Sequence, residues 1–186
     1  MKQTTVTIEG IAPLIMHNGQ LADPLNEHTQ ALARLTSKRK KTLDDHREIG
    51  RVEWMGGLYL DEDGAPCLPG EVIEAALVSG AKKFKLGKDA KSGLMVAGDV
   101  PLKYKGPRDA EGLWNHGGFL KRAGVRVGTA RVIRSRPIFP EWSATFKIGW
   151  DPDVIKDERT VIEIVEAAGA CGLCEWRPKF GRFQVS

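Results

Sequence analysis

The sequence predicts an α+β fold: a ferredoxin-like β-α-β-β-α-β core with a basic insertion. Three observations predict it. Period-two alternation occurs near the start of the chain and again towards its end. Apolar stripes at helical spacing lie between the strands, and no repeat or linker divides the chain. The 186 residues are 41% hydrophobic and 28% charged, ordinary for a globular protein. A chain of that length buries roughly 70% of its unfolded surface, so it needs no disulfide or metal to hold a core. One domain over 1–186 is expected, with an irregular basic insertion at about 86–118.

Thr5-Val6-Thr7-Ile8-Glu9 alternates polar and apolar and reads as a strand with one buried face. An apolar stretch from Ile11 to Met16, broken by Pro13, leads to a turn at Asn18-Gly19. From about Asn26 to Trp54 the pattern reads as helical, with Leu32, Leu35 and Leu43 near helical spacing. Glu27 to Lys41 holds strong helix formers without Pro or Gly, which makes Lys38-Arg39-Lys40-Lys41 a charged helix face. Gly57 to Leu68 reads as a hairpin with its tip at Asp63-Gly64.

Pro69-Gly70 then opens a helix whose apolar positions are Val72, Ile73, Ala76 and Leu77. Glu71 and Glu74 sit in its first turn, and Lys82, Lys83 and Lys85 follow its end, as the helix dipole favours. Val100 to Tyr104 reads as a short strand inside the insertion. Gly124 to Ile138 and Ala144 to Ile148 read as two more. Asp157-Glu158 starts a helix carrying Val161, Ile162, Ile164 and Val165 and ending at Gly169. Phe180 to Val185 is the last strand expected.

The net charge of +4 hides an asymmetry. Lys82 to Arg136 holds fourteen Lys or Arg against four acids, a local +10, so the other residues sum to −6. A basic middle in an acidic remainder points to a polyanion, most often nucleic acid, with a merely solvated surface as the alternative. No apolar run reaches the length of a membrane span, and the N-terminus has no apolar signal core. Three cysteines suit a reducing compartment, so a cytoplasmic location is expected.

Catalytic signals are sparse. Cys171-Gly172-Leu173-Cys174 lacks a second ligand pair for zinc and follows a helix instead of opening one, so it reads as packing in a turn. There is no G-x-S-x-G, H-E-x-x-H or phosphate loop, and neither metal nor organic cofactor is expected. Asp44, Asp45 and His46 are adjacent and do not converge on a helix. His17 and Asp23, in the loop after the first strand, are the candidates for a catalytic alternative.

The run from Gly169 to Phe183 carries the most chemistry. Its glycines allow a backbone to approach phosphate or sugar, Arg177, Lys179 and Arg182 add charge, and Trp176 and Phe180 offer flat faces for bases. Phe183 reads as core. The candidate strand-binding residues are therefore Lys38, Arg39, Lys82, Lys83, Lys85, Lys88, Arg131, Arg134, Arg136, Trp176, Arg177, Lys179, Phe180 and Arg182.

Three segments resemble the RAMP superfamily, the RRM-like proteins that form the crRNA-binding backbone of CRISPR effector complexes. Ile8 to Gly19 resembles their first strand and glycine turn. Cys67 to Leu77 resembles their Pro-Gly-then-helix element, and Gly172 to Phe183 their glycine-rich loop ending in a G-[RK]-[FV] strand. Two departures stand out. Glu71-Val72-Ile73-Glu74 replaces the usual serine pair and Lys-Gly, and Trp176-Arg177-Pro178 interrupts the glycine loop. The chain also resembles bacteriophage proteins, which implies a stand-alone relative acting in a bacterial host cell.

The resemblance implies a non-catalytic protein that binds single-stranded DNA or RNA and assembles along it as a homo-oligomer or filament. One alternative is a phage assembly or protein-interaction component whose basic insertion docks an acidic partner. The other is a metal-independent ribonuclease of the same fold, for which Asp23 is the nearest match to a family loop aspartate.

Overall fold

The computed structural model describes residues 1–186 and is mixed α and β, with antiparallel strands. The first elements are β1 (Lys2–Gly10), β2 (Leu14–Ile15), α1 (Glu27–Thr36), α2 (Leu43–Gly57), β3 (Cys67–Pro69) and α3 (Gly70–Ala81). Next come α4 (Gly87–Gly93), β4 (Leu94–Met95), β5 (Asp99–Pro101) and α5 (Ala110–His116). The last are β6 (Leu120–Val127), β7 (Ala130–Phe139), β8 (Ser143–Trp150), α6 (Glu158–Cys171) and β9 (Phe183–Val185). The chain over which one domain is expected forms two compact, interleaved units: 1–14, 60–105 and 139–186 in unit 1, and 15–59 and 106–138 in unit 2.

Unit 1 is organised by a four-stranded sheet in the order β4-β8-β1-β9. Alternation does what the sequence predicts: Val6 and Ile8 of β1 are buried, and their partners Phe146 and Ala144 in β8 are buried with them. Thr5, Thr7, Thr145 and Lys147 share the other face, where Thr7 and Thr145 hydroxyls lie 3.0 Å apart. Helices α3 and α6 pack on each other closely. A Cβ at Gly80 would stand 2.5 Å from the Ala168 nitrogen and 2.7 Å from the Ile164 carbonyl, so only glycine lets the two backbones meet there. Asp157 caps α6 as expected, accepting from the Thr160 N–H at 2.9 Å.

Unit 2 holds α1, α2 and α5 with the exposed β6–β7 hairpin, in a sheet ordered β2-β7-β6. Trp54 is fully buried, and its indole donates to the Phe119 carbonyl at 2.9 Å.

Several expectations are corrected. The helix expected from Asn26 to Trp54 is two helices, and Lys38 to Lys41 lies in their connection, not on a helix face. Four successive cations in one turn repel each other, and Thr42 starts a new helix. Its hydroxyl accepts from the Asp45 N–H at 3.1 Å while the Asp45 carboxylate accepts from the Thr42 N–H at 2.9 Å, a capping box.

The hairpin expected over 57–68 is only a tight turn, closed by the single bridge Leu60–Pro66, because Asp61 draws the N–H groups of Asp63 and Ala65 to its own carboxylate. Cys67–Pro69 pairs instead with Asp99–Pro101. The segment 86–118, expected to be irregular, carries α4, β4, β5 and α5. The strand expected from Gly124 to Ile138 is really most of a hairpin. It turns at Gly128, whose φ of 60° is open to glycine.

Candidate nucleic-acid interface

The β6–β7 hairpin sorts the arginines of unit 2 by alternation. Arg122, Gly124 and Arg126 face Ser135, Ile133 and Arg131 across the ladder, so three arginines share one face. Arg126 and Arg131 stand directly opposite each other, a like-charge pairing that destabilises a ladder. No acid neutralises them. Arg126 donates only to the Gly128 carbonyl, at 3.1 Å, and Arg122 and Arg131 hold no ion pair. Between the cations lies Ile133, 59% exposed, over the bare backbone of Gly124.

Arg134 and Arg136 fall on the opposite face and are paired inside the protein, Arg134 with its side chain still 38% exposed. Glu53, buried at 4% exposure, accepts from Arg134 at 3.0 Å and from Arg136 at 3.1 Å, and its second oxygen takes the Ser135 N–H at 2.8 Å. Arg136 is itself only 7% exposed. Its charge is matched inside the protein and is not presented to a ligand. Arg131 instead lies on the exposed face, together with Arg122 and Arg126, which were not among the expected residues. Strict alternation along 120–136 was the signal that separates them.

Unit 1 carries a second cationic surface. Lys82, Lys85, Lys88 and Lys91 line an open groove of about 890 Å³ between α3 and α4. Glu71 and Glu74 line it too, but Glu74 is engaged by the Val96 N–H at 2.7 Å. Lys83 lies outside the groove and donates to the Ala167 carbonyl at 3.2 Å, at the end of α6.

The glycine-rich loop closes on itself. Leu173 donates to the Gly181 carbonyl at 2.9 Å, and a Cβ at Gly172 would stand 2.5 Å from the Phe180 carbonyl. These glycines therefore admit the loop's own backbone, not an incoming phosphate. Trp176, at φ 54°, tilts onto Phe180 with ring centroids 6.1 Å apart, and the Lys179 ammonium lies 5.9 Å from the Phe180 ring. Arg177, Lys179 and Arg182 are exposed, and Phe183 is buried as expected.

Lys38 is hydrogen-bonded to Asp45. That bond, with the Thr42 N–H, holds the Asp45 carboxyl down at about 2. Arg39 is exposed beside it. Burial pushes the Cys67 and Cys174 thiols up to about 12, well away from reactive thiolates. Asp23 accepts from the Leu25 N–H at 2.9 Å in a local turn, and the His17 carbonyl accepts from the Tyr59 hydroxyl at 3.1 Å. No group of three or more His, Cys, Asp or Glu side chains converges as for a metal ion. No helix is long and apolar enough to cross a membrane. No family model matches the chain, and no curated protein matches it.

Proposed function

We propose that this chain is a non-catalytic, single-strand nucleic-acid-binding protein whose principal contact is the arginine face of the β6–β7 hairpin. One observation carries the reading: Arg126 and Arg131 are held directly opposite each other with no acid between them. A fold that keeps such a repulsion on an exposed hairpin lowers its energy by receiving an anion there. The neighbouring Arg122 and the exposed Ile133 give the face the cationic and apolar mixture that suits unpaired strands. The lysine groove of unit 1 is a second place for phosphates.

The RAMP-like, ferredoxin-like architecture belongs to the same proposal. The order β9-β1-β8-β4, with α3 and α6 packed together, supports a split β-α-β core. The side of that sheet opposite Val6 and Ile8 bears threonines and Lys147 without aromatic residues, so bases are read elsewhere. Assembly along the strand as a homo-oligomer, in a bacterial or phage-infected cytoplasm, completes the reading.

Fluorescence anisotropy with labelled single-stranded DNA, single-stranded RNA and duplex, each across a salt series, tests it. Three arginine contacts predict a fall of about 2 log units in affinity per tenfold salt for single strands. Arg126→Gln with Arg131→Gln removes about 1.4 of that slope. Affinity that ignores salt, or no binding to any of the three polymers, overturns the reading.

A further inference from the structure

Where the arginine face meets helix α2, unit 2 forms a half-open cavity of about 370 Å³. Helix α2 turns His46, Arg47 and Gly50 towards it, positions spaced to lie on one side of a helix. Trp114 of α5 walls it, and Arg122 and Ser135 line it from the hairpin. Gly50 matters for space: a Cβ there would stand 3.0 Å from the Ser135 hydroxyl, in the gap between helix and strand. The Trp114 ring rests at 5.4 Å and 59° against Trp54, whose own indole is tied to the Phe119 carbonyl, so the wall is fixed. Arg122 carries no ion pair, and Arg47, paired to Asp44 at 2.7 Å, remains 76% exposed.

A flat indole, an imidazole and a hydroxyl within a small cavity, with a free guanidinium beside them, match a planar heterocycle linked to a phosphate. We infer that the cavity takes one unpaired nucleobase of the bound strand, stacked on Trp114, with Arg122 on the adjoining phosphate; this rests on the strand-binding reading above. A duplex offers no such base without breaking a pair. The cavity therefore supplies the discrimination between single and double strands that the arginines, which meet only phosphates, lack.

The test compares a base-bearing oligothymidylate with a fully abasic strand of equal length and charge, by anisotropy. The wild-type protein is expected to bind the base-bearing strand about tenfold more tightly, the effect of one stacked base. Trp114→Leu is expected to bring the two affinities within about twofold, and Trp114→Phe, which keeps a flat face, to retain most of the preference. Trp114 touches the core, so His46→Trp, at an exposed residue, provides a second route by filling the cavity from α2. Equal wild-type affinity for both strands, with salt dependence intact, overturns the base site and leaves the strand-binding reading standing. A preference unchanged by both Trp114→Leu and His46→Trp overturns it as well. No binding to either strand overturns both.

Discussion

Glu53 is the residue on which the hairpin's orientation depends. It gathers Arg134, Arg136 and the Ser135 N–H from a strand some eighty positions away in sequence. Glu53→Ala leaves the buried Arg136 guanidinium without a counter-charge and is expected to lower stability by roughly 3–5 kcal/mol, read from urea unfolding. Nothing near Glu53 in the sequence announces this, because its partners are not local. Asp45, partly covered by Lys38, makes a milder prediction. Its carboxyl is held below the ordinary value, so its contribution is present above about pH 4 and is lost as pH falls through about 2. The stability difference between wild type and Asp45→Asn is therefore expected to vanish below pH 2 in acid urea titrations. Cys67 and Cys174 titrate near 12, so a thiol reagent at pH 8 is expected to find neither in the folded protein and all three cysteines after unfolding. A second reactive thiol in the native protein would contradict the raised titration of both.

At the scale of elements, a hairpin that binds strands as proposed sets stability against binding. Replacing Arg131 by Gln relieves its repulsion with Arg126 and is expected to raise stability by about 0.2–1 kcal/mol while weakening strand binding and its salt slope. A variant that loses both stability and affinity would mean that the pair serves the fold. Much at this scale was legible. The alternation of β1 and β8, the apolar stripes of α3 and α6, and the Asp157 cap are local patterns, and each forms where the residues place it. The misses have local causes too. Helix formers on both sides masked the Thr42 cap, and the thin apolar content of 120–127 hid β6, whose turn at Gly128 splits what reads as one strand. The pairing of Arg134 and Arg136 with Glu53 went unseen for the same reason, since without the hairpin register all arginines of the run look equivalent.

For the whole molecule, charge follows the two units. Unit 2 holds fourteen Lys or Arg against eight acids, a net +6, and unit 1 fourteen against sixteen, a net −2. The basic stretch that the sequence displays as one block, Lys82 to Arg136, is thus shared between them. No shift in composition marks residues 14, 59, 105 or 138, where the chain passes between units, so the interleaving was not legible. Under the strand-binding proposal, the positive balance of unit 2 makes it the principal contact. Charge reversal at the groove, Lys85→Glu with Lys88→Glu, is expected to weaken binding less than Arg126→Glu with Arg131→Glu in the same anisotropy assay. The opposite ranking would move the principal contact to unit 1.

The separation of β1 from its partners bears on how the chain is made. Thr7 meets Thr145 across 138 positions, and β9 lies later still. At about 5–20 residues per second, a ribosome needs roughly 7–28 s to deliver β8 after β1 has emerged. Throughout that interval the nascent strand has neither neighbour. Its only large apolar side chains are Val6 and Ile8, set among threonines and beginning at Lys2, a composition poorly suited to adhering to other nascent chains. A ribosome stalled before residue 143 would carry a unit 1 sheet with no central pair, so protease resistance of that sheet is expected to arise only once translation nears completion.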